Sequence, residues 1–194
     1  MRNSLPLLQG PFYFLRHGET ETNRRGLVAG ATDVELNTTG WRQAHAAAEL
    51  LRRRGIGAIY ASPLRRAHDT AQCVAETLGL PVTVIPELAE RCWGALEGQP
   101  RALRVRDATP PGGESPQQFA QRTLRGLAKI PPSPLPLIVA HSGTFRVLCG
   151  HLGIAQSEAP VANSQPQRFV PARAGGASWL IEPLCGERER SAIE

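Results

Sequence analysis

Residues 12–23 read FYFLRHGETETN, and this stretch decides the fold class. Its first four residues, 12–15, are all apolar, which is typical of a strand buried in a sheet. The run ends abruptly at Arg16 and His17, and Gly18 follows. Polar and charged residues directly after a buried strand are seldom found without a partner or a function. The sequence therefore predicts a functional cluster where a core strand ends.

Strand-like and helix-like segments alternate along the rest of the chain. Such alternation indicates parallel strands joined by helical crossovers, and hence a three-layer α/β/α sandwich. The strands are predicted at 12–15, 56–62, 81–86 and 135–142, and the helices at 38–55, 63–79, 115–130 and 143–153. Residues 167–183 predict a hairpin that turns at Gly175 and Gly176. The predicted fold class is therefore α/β, with a mostly parallel sheet and an antiparallel edge.

The composition argues against several classes of function. The chain has 194 residues, 41% hydrophobic and 20% charged, and its 22 Lys+Arg against 17 Asp+Glu give a formal net charge of +5. So small an excess of positive charge, without aromatic residues interleaved among the basic ones, does not predict a nucleic-acid-binding surface. No apolar run reaches a membrane span or a signal-peptide core, and the four scattered cysteines have no metal-ligand spacing. We expect a cytoplasmic protein that binds no membrane, no nucleic acid and no metal.

Two of the predicted strands end in the same way. The first runs into the sequence RHG (16–18) and the fourth runs into HSG (141–143). Because ligands of open parallel sheets bind outside the carboxyl ends of the strands, both histidines are expected to face one pocket. A glycine behind each histidine lets the backbone approach a ligand closely. Two unrelated histidines, each at a turn, are the alternative.

Two further segments place charges at strand ends. Arg65 and Arg66 fall in the first turn of a predicted helix, where the helix dipole favours an anion. Because they lie about 100° apart around the helix, one can face a pocket while the other faces solvent. After the third strand, Glu87, Glu90 and Glu97 are candidates for a general acid, and composition does not choose among them. Solvated surface charges are the alternative for all of these residues.

Several blocks of sequence, taken in order, resemble the histidine phosphatase superfamily, also called the phosphoglycerate-mutase-like family. They are LRHGETETN (15–23), GATDVELNTTGWRQA (30–44), ASPLRRAHDTA (61–71), ELAERCWGALEG (87–98), PPGGES (110–115) and VAHSGTFRVL (139–148). The resemblance runs from about residue 12 to 150, and more weakly to about 182. It implies a phosphoglycerate-mutase-like fold and a catalytic domain of this family. The chain length predicts a single domain over 1–194 with a core at about 11–182, and the polar composition of residues 185–194 predicts a frayed tail.

The resemblance also implies roles for individual residues. His17 matches the nucleophile that becomes phosphorylated, Glu90 matches the proton donor, and His141 matches the second histidine of the pocket. The implied catalytic set is His17, Glu90, His141, Arg16 and Arg66, and the phosphate- and substrate-binding set is Arg16, Gly18, Asn23, Gly30, Arg66, His141 and Ser142. Arginine suits such a site, because its permanently charged fork matches phosphoryl oxygens better than lysine does.

The activity implied by the resemblance is hydrolysis of a phosphomonoester through a phosphohistidine intermediate, without a cofactor. We expect a small phosphorylated metabolite as the partner, and a monomer or homodimer. A phosphoglycerate-type mutase is the alternative, but a mutase needs a closed pocket, and here the segment 99–109 is short and Leu27 and Ala29 are apolar at the rim. A protein phosphohistidine phosphatase and a phosphate-binding module are further alternatives. Three arginines of the short segment are expected either to be solvated or to recruit an anionic substrate: Arg101, Arg104 and Arg106.

Overall fold

A six-stranded sheet forms the centre of the part of the chain that the structure describes. The computed structural model describes residues 5–155, 161–172 and 178–184. The strands are β1 (Phe12–Arg16), β2 (Ala58–Ala61), β3 (Val82–Val84), β4 (Pro136–Ala140), β5 (Gln167–Pro171) and β6 (Trp179–Pro183). Their order is β3-β2-β4-β1-β5-β6, with β1 to β4 parallel and β5 and β6 antiparallel to their neighbours. The predicted α/β fold with an antiparallel edge is confirmed.

Helices pack against both faces of this sheet. The α-helices of the described residues are α1 (Glu21–Arg24), α2 (Thr38–Leu51), α3 (Arg65–Leu78), α4 (Pro116–Leu127) and α5 (Ser142–Leu152). Alternate side chains of β1 enter different cores, because successive strand residues point to opposite faces. Phe12 and Phe14 pack with residues of α4 and α5, whereas Tyr13 and Leu15 pack with residues of α2 and α3. The sheet and the helices on its two faces therefore form the three predicted layers.

The buried core extends beyond the strands at both ends of the described chain. Leu5 and Leu7 are 4% and 0% exposed, so the core begins before residue 11, the start predicted from the sequence. Leu184 is also buried, just after β6. The predicted hairpin turn at 175–176 and the tail 185–194 lie outside the described residues.

The ends of the long helices are fixed by local hydrogen bonds and backbone geometry. Asn37 caps α2 by accepting a hydrogen bond from the Gly40 N–H at 2.8 Å, and α3 ends at Leu78, where the next residue, Gly79, has a φ of +67°. Each of these helices has 14 residues. A membrane-spanning helix needs about 20 apolar residues. Within the described ranges, no helix has the length and apolar character required to cross a bilayer.

Candidate active site

The carboxyl ends of three parallel strands bring the two predicted histidines together. β4 lies between β1 and β2, with Arg16 opposite Ala140 at the end of the β1–β4 pair. His17 and His141 are the residues that directly follow β1 and β4, and their ring centroids lie 5.2 Å apart. Ser62 follows β2 at the same edge. The two histidines therefore share one site.

The imidazole of His17 is held in one orientation. Its Nδ1 lies 2.7 Å from the carbonyl oxygen of Gly18, so Nδ1 donates its proton to this carbonyl and Nε2 keeps its lone pair. Burial, together with the positive charges of Arg66 and Arg16, holds the pKa of His17 well below its usual value. His17 is therefore neutral at pH 7, which is the form that a nucleophile needs.

A threonine on α3 fixes the backbone that orients His17. The Gly18 N–H donates to Thr70 Oγ1 at 3.0 Å, and the Thr70 hydroxyl in turn donates to the Arg66 carbonyl at 2.7 Å. Thr70 is fully buried. The loop after β1 is thereby tied to the helix that carries Arg66. Because the Gly18 carbonyl accepts from His17, this hydrogen-bond chain sets the position of the imidazole.

Gly18 lies where the loop after β1 packs against α2. Neither Gly18 nor His141 is among the residues that line the cavity described below, so their predicted phosphate-binding roles stay predictions. A Cβ at position 18 would lie 2.5 Å from the carbonyl oxygen of Gly40, in the first turn of α2. The absence of a side chain at Gly18 therefore allows the loop after β1 to pack directly against α2.

Two buried arginines flank His17. Arg66 is 1% exposed and donates to the carbonyl oxygens of Gly30 at 2.7 Å and Thr32 at 2.9 Å. Arg16 donates to the Val161 carbonyl at 2.7 Å, and burial lowers its pKa to about 10, so it remains charged at neutral pH. Arg65, the neighbour of Arg66 on α3, lies on the surface and pairs with Glu35. Of the two arginines that the sequence leaves open, the structure brings Arg66 to the site.

The three candidate carboxylates have separate environments. Glu90 lines the cavity and accepts hydrogen bonds from the backbone N–H groups of Arg91 at 2.8 Å and Gly143 at 3.0 Å. Glu87 instead pairs with Lys129 on the surface. Glu97 accepts hydrogen bonds from the Trp93 N–H of its own segment at 2.9 Å and from the Ala31 N–H of another loop at 2.8 Å. Glu90 is therefore the one of the three that faces His17 across the cavity.

His141 lies deeper than His17. It is fully buried, and its Nε2 lies 2.7 Å from Ser62 Oγ. Its Nδ1 has no hydrogen-bond partner among the described residues. Burial, with the positive charge of Arg66 and the neighbouring His17, holds the pKa of His141 well below its usual value. His141 is therefore neutral at pH 7 in the protein alone, and an anion beside it is required to favour the imidazolium.

A cavity with an empty volume of about 620 Å³ opens over Arg16, His17, Arg66 and Glu90, and His141 lies behind its wall. Three other residues predicted to bind phosphate or substrate also lie in its wall: Asn23, Gly30 and Ser142. Leu27, Val28 and Ala29 form an apolar part of the rim. Trp93 and four arginines complete the lining, the arginines being Arg101, Arg104, Arg106 and Arg146. In the described parts of the chain, no group of three or more His, Cys, Asp or Glu residues is arranged to hold a metal ion.

Several residues of the site were not predicted from the sequence. Asn163 donates to the His17 carbonyl at 2.8 Å and to Asn23 Oδ1 at 3.3 Å, although it is about 140 residues away in the chain. Threonine and serine are common residues, so the roles of Thr70 and Ser62 are recognised only from the hydrogen bonds that they make in the folded chain. Arg146 could have been predicted to lie near the site, because it follows Ser142 by one helical turn on a predicted helix.

Comparison with known proteins identifies the family. A family model described as histidine phosphatase superfamily (branch 1) matches residues 12–167. The uncharacterized phosphatase PhoE of Bacillus subtilis is 37% identical over 140 residues, which cover 69% of this chain and 72% of that protein. A probable phosphoglycerate mutase, GpmB of Enterobacter sp., is 35% identical over 146 residues, with 66% of this chain and 68% of that protein covered.

Other relatives are much longer than this chain. The bifunctional protein Rv2228c of Mycobacterium tuberculosis is 38% identical over 152 residues, and the match covers 71% of this chain but 40% of that protein. Among solved structures, mycobacterial glucosyl-3-phosphoglycerate phosphatase Rv2419c in complex with VO3 has a TM-score of 0.75 at 27% identity, covering 89% of this chain and 97% of that chain. From the site, the family model and these relatives together, the chain belongs to the histidine phosphatase superfamily, a family of phosphatase-type enzymes and related mutases.

Proposed function

We propose that this chain is a metal-independent phosphatase that hydrolyses a small phosphorylated metabolite in the cytoplasm through a phosphohistidine on His17. The observation that supports this proposal most directly is the 2.7 Å hydrogen bond from His17 Nδ1 to the Gly18 carbonyl. It leaves Nε2 unprotonated in a cavity whose wall includes Arg16 and Arg66. A neutral imidazole among fixed positive charges is suited to attack on phosphorus, where catalysis depends on positioning and charge stabilisation.

In the first half-reaction, the lone pair of His17 Nε2 attacks the phosphorus and the ester P–O bond breaks. Arg16 and Arg66 donate to the phosphoryl oxygens, and the N–H groups at the start of α5, beginning at Ser142, add partial positive charge. Glu90 gives its proton to the leaving oxygen, so the alcohol departs neutral. The products are a phosphohistidine, the alcohol and an ionised Glu90.

In the second half-reaction, a water molecule attacks the same phosphorus. Glu90 takes a proton from this water, the N–P bond breaks, and its electron pair returns to His17 Nε2. The two backbone N–H groups that bond to Glu90 hold its carboxylate in place for this step. One water is consumed and one phosphate is released. Both His17 and Glu90 return to their starting states.

A phosphomutase is the second candidate function. The observation that favours it is the group of four arginines that lines the cavity beyond Arg16 and Arg66, since such a group suits a bisphosphate that must be retained between two transfers. The apolar rim of Leu27, Val28 and Ala29 favours the phosphatase, because it offers few side-chain hydrogen bonds to a small polar intermediate. The two functions differ in whether phosphate leaves the enzyme.

Phosphate release from a panel of phosphomonoesters, measured with EDTA-treated protein, tests the proposal. We expect release by the wild type and a loss of at least about a thousandfold in His17→Ala, with His45→Ala on the exposed side of α2 as the matched control. Retention of activity in His17→Ala would contradict the phosphohistidine route. Interconversion of phosphoglycerate isomers without phosphate release would favour the mutase instead.

A further inference from the structure

The proposed proton donor lies on a loop without regular secondary structure. Residues 89–93 belong to no helix or strand, so helix or sheet hydrogen bonds do not hold their backbone. The Glu90 carboxylate nevertheless accepts two well-defined hydrogen bonds, from the N–H groups of Arg91 and Gly143. A misplacement of about 1 Å is enough to slow a catalysed reaction strongly. Other side chains must therefore fix this loop.

Arg122 of α4 is the main support of the loop. Its guanidinium group donates to the carbonyl oxygens of Glu87 at 2.9 Å, Ala89 at 2.9 Å and Glu90 at 3.3 Å. It also donates to both carboxylate oxygens of Glu114, at 2.8 Å and 2.7 Å. An arginine side chain has five N–H donors. These five hydrogen bonds account for all of them, so Arg122 has no donor left for a substrate.

Glu114 extends this support to the residues that follow Glu90. Oε2 of Glu114 accepts from the Cys92 N–H at 2.9 Å, and the Glu114 N–H donates to the Cys92 carbonyl at 2.9 Å. Burial favours a higher pKa for Glu114, but hydrogen bonds from Arg122 and from the Cys92 N–H outweigh it and lower the pKa. The carboxylate is therefore ionised at pH 7, and the loop is tied to the pair of Arg122 and Glu114 on both sides of Glu90.

This pair lies outside the cavity that contains His17. Neither Arg122 nor Glu114 lines that cavity, and both line a different cleft that shares no residue with it. Their side chains are 21% and 22% exposed, so water screens the ion pair only in part. Because neither residue is placed to contact the reacting phosphoryl group, an effect on the reaction must pass through Glu90.

We propose that Arg122 and Glu114 are positioning residues, which hold the Glu90 carboxylate in place for proton transfer. The inference rests on the proposed function, in which Glu90 protonates the leaving oxygen. Breaking the pair frees the loop, whereas His17 and Arg66 are carried by other elements and stay in place. The phosphoryl group is then still bound and attacked, but the alcohol leaves without an efficient proton donor.

Two substrates that differ in leaving group test this inference. The anion of 4-nitrophenol is stable enough to leave without a proton, whereas the anion of benzyl alcohol is not. We expect Arg122→Gln to lower kcat/KM at least about tenfold on benzyl phosphate, and about threefold or less on 4-nitrophenyl phosphate. The fraction of enzyme that is folded affects both substrates equally, so the ratio of the two losses does not depend on it. A general loss of structure therefore cannot produce this pattern.

Three further variants complete the comparison. Glu114→Gln replaces one acceptor of Arg122 with a donor, and we expect the same pattern with a smaller loss. Arg125→Gln is the matched control, because it makes the same substitution at an exposed position about one turn further along α4, and it should match the wild type. Glu90→Gln should lose kcat/KM mainly on benzyl phosphate. If it does, equal losses on the two substrates in Arg122→Gln and Glu114→Gln would overturn the inference.

The exchange rate of the Gly143 N–H separates this inference from the proposed function. As one of the first N–H groups of α5, it has no acceptor within the helix, and the Glu90 carboxylate accepts its hydrogen bond. We expect amide hydrogen exchange, followed by NMR, to be at least about tenfold faster at Gly143 in Arg122→Gln than in the wild type, and unchanged in Arg125→Gln.

This measurement does not depend on activity. If Glu90→Gln loses kcat/KM equally on the two substrates, the role of Glu90 as proton donor fails, while exchange at Gly143 still decides whether Arg122 positions the carboxylate. Unchanged exchange at Gly143 in Arg122→Gln would overturn the inference whatever the kinetics.

Discussion

Glu90 and Gly143 are in direct contact across the site. The Gly143 N–H donates to Oε2 of Glu90 at 3.0 Å, and a Cβ at position 143 would lie 2.0 Å from Oε1 of the same carboxylate. The absence of a side chain at Gly143 therefore leaves room for the carboxylate of the proposed proton donor. A side chain at 143 cannot be accommodated unless Glu90 moves.

Gly143→Ala is expected to lower kcat by about tenfold to a hundredfold. The added methyl group displaces the Glu90 carboxylate, so proton transfer to the leaving oxygen becomes less efficient. Gly150→Ala is the matched control, because Gly150 lies on the same helix and a Cβ there meets no atom within 4 Å. Steady-state kinetics on one phosphomonoester provides the measurement. Equal activity in the two variants would show that Glu90 tolerates the change.

Thr70→Val is expected to lower kcat about tenfold. The substitution keeps the shape of the side chain but removes the oxygen that accepts from the Gly18 N–H, so the carbonyl that orients His17 is less well fixed. Thr70→Ser keeps the hydroxyl and should retain most of the activity. Thr77 provides a control, since its hydroxyl also bonds one turn back on α3, to the Cys73 carbonyl. A Thr77→Val variant that loses as much activity as Thr70→Val would contradict the proposed role.

Gly30→Ala is expected to destabilise the protein by about 3 kcal/mol, against about 1 kcal/mol for Gly26→Ala. Both glycines have positive φ, +58° and +67°, but a Cβ at Gly30 would lie 2.1 Å from Glu97 Oε1, whereas a Cβ at Gly26 meets nothing within 4 Å. The Gly30 carbonyl also accepts from Arg66, so KM should rise as well. Urea unfolding measures the difference. Equal destabilisation of the two variants would contradict a steric conflict at Gly30.

The two buried histidines predict how stability changes with pH. Their pKa values are depressed in the folded protein, so below about pH 6.5 the unfolded chain binds more protons than the folded one. The free energy of unfolding should therefore fall as the pH drops below about 6.5, by roughly 1 kcal/mol per pH unit for each histidine until its folded pKa is reached. Urea unfolding at pH 7, 6 and 5 checks this.

The contribution of these histidines is isolated by comparison with variants. We expect His17→Ala/His141→Ala to show a shallower loss of stability between pH 7 and pH 5 than the wild type. The His45→Ala variant, altered on the exposed face of α2, should follow the wild type. If the double variant loses stability as steeply as the wild type, the two imidazoles are not held neutral by burial.

The sequence predicted the fold and the centre of the site because both depend on local patterns. Apolar runs define the strands, and the groups that follow β1 and β4 must meet at one sheet edge. The resemblance selected Arg66 over Arg65 and Glu90 over two other carboxylates, and the structure places both in the cavity wall. Their catalytic roles stay predictions.

The supporting contacts could not be predicted from the sequence, because they join segments that are far apart in the chain. Thr70 bonds to Gly18 across 52 positions, and Ser62 bonds to His141 across 79. Threonine and serine occur throughout the chain, so nothing local distinguishes these two. The need for glycine at positions 18 and 143 could not be predicted for the same reason. The atoms that leave no room for a side chain there belong to Gly40 and Glu90, which are distant in the chain.

Rapid chemical quench with a ³²P-labelled substrate tests the central claim most directly. We expect labelled phosphate to be trapped on His17 within a single turnover. The adduct should be acid-labile and base-stable, it should be absent from His17→Ala, and it should persist longer in Glu90→Gln, where the water is no longer deprotonated. Full turnover with no label on His17 at any time, or label on another residue, would contradict the account.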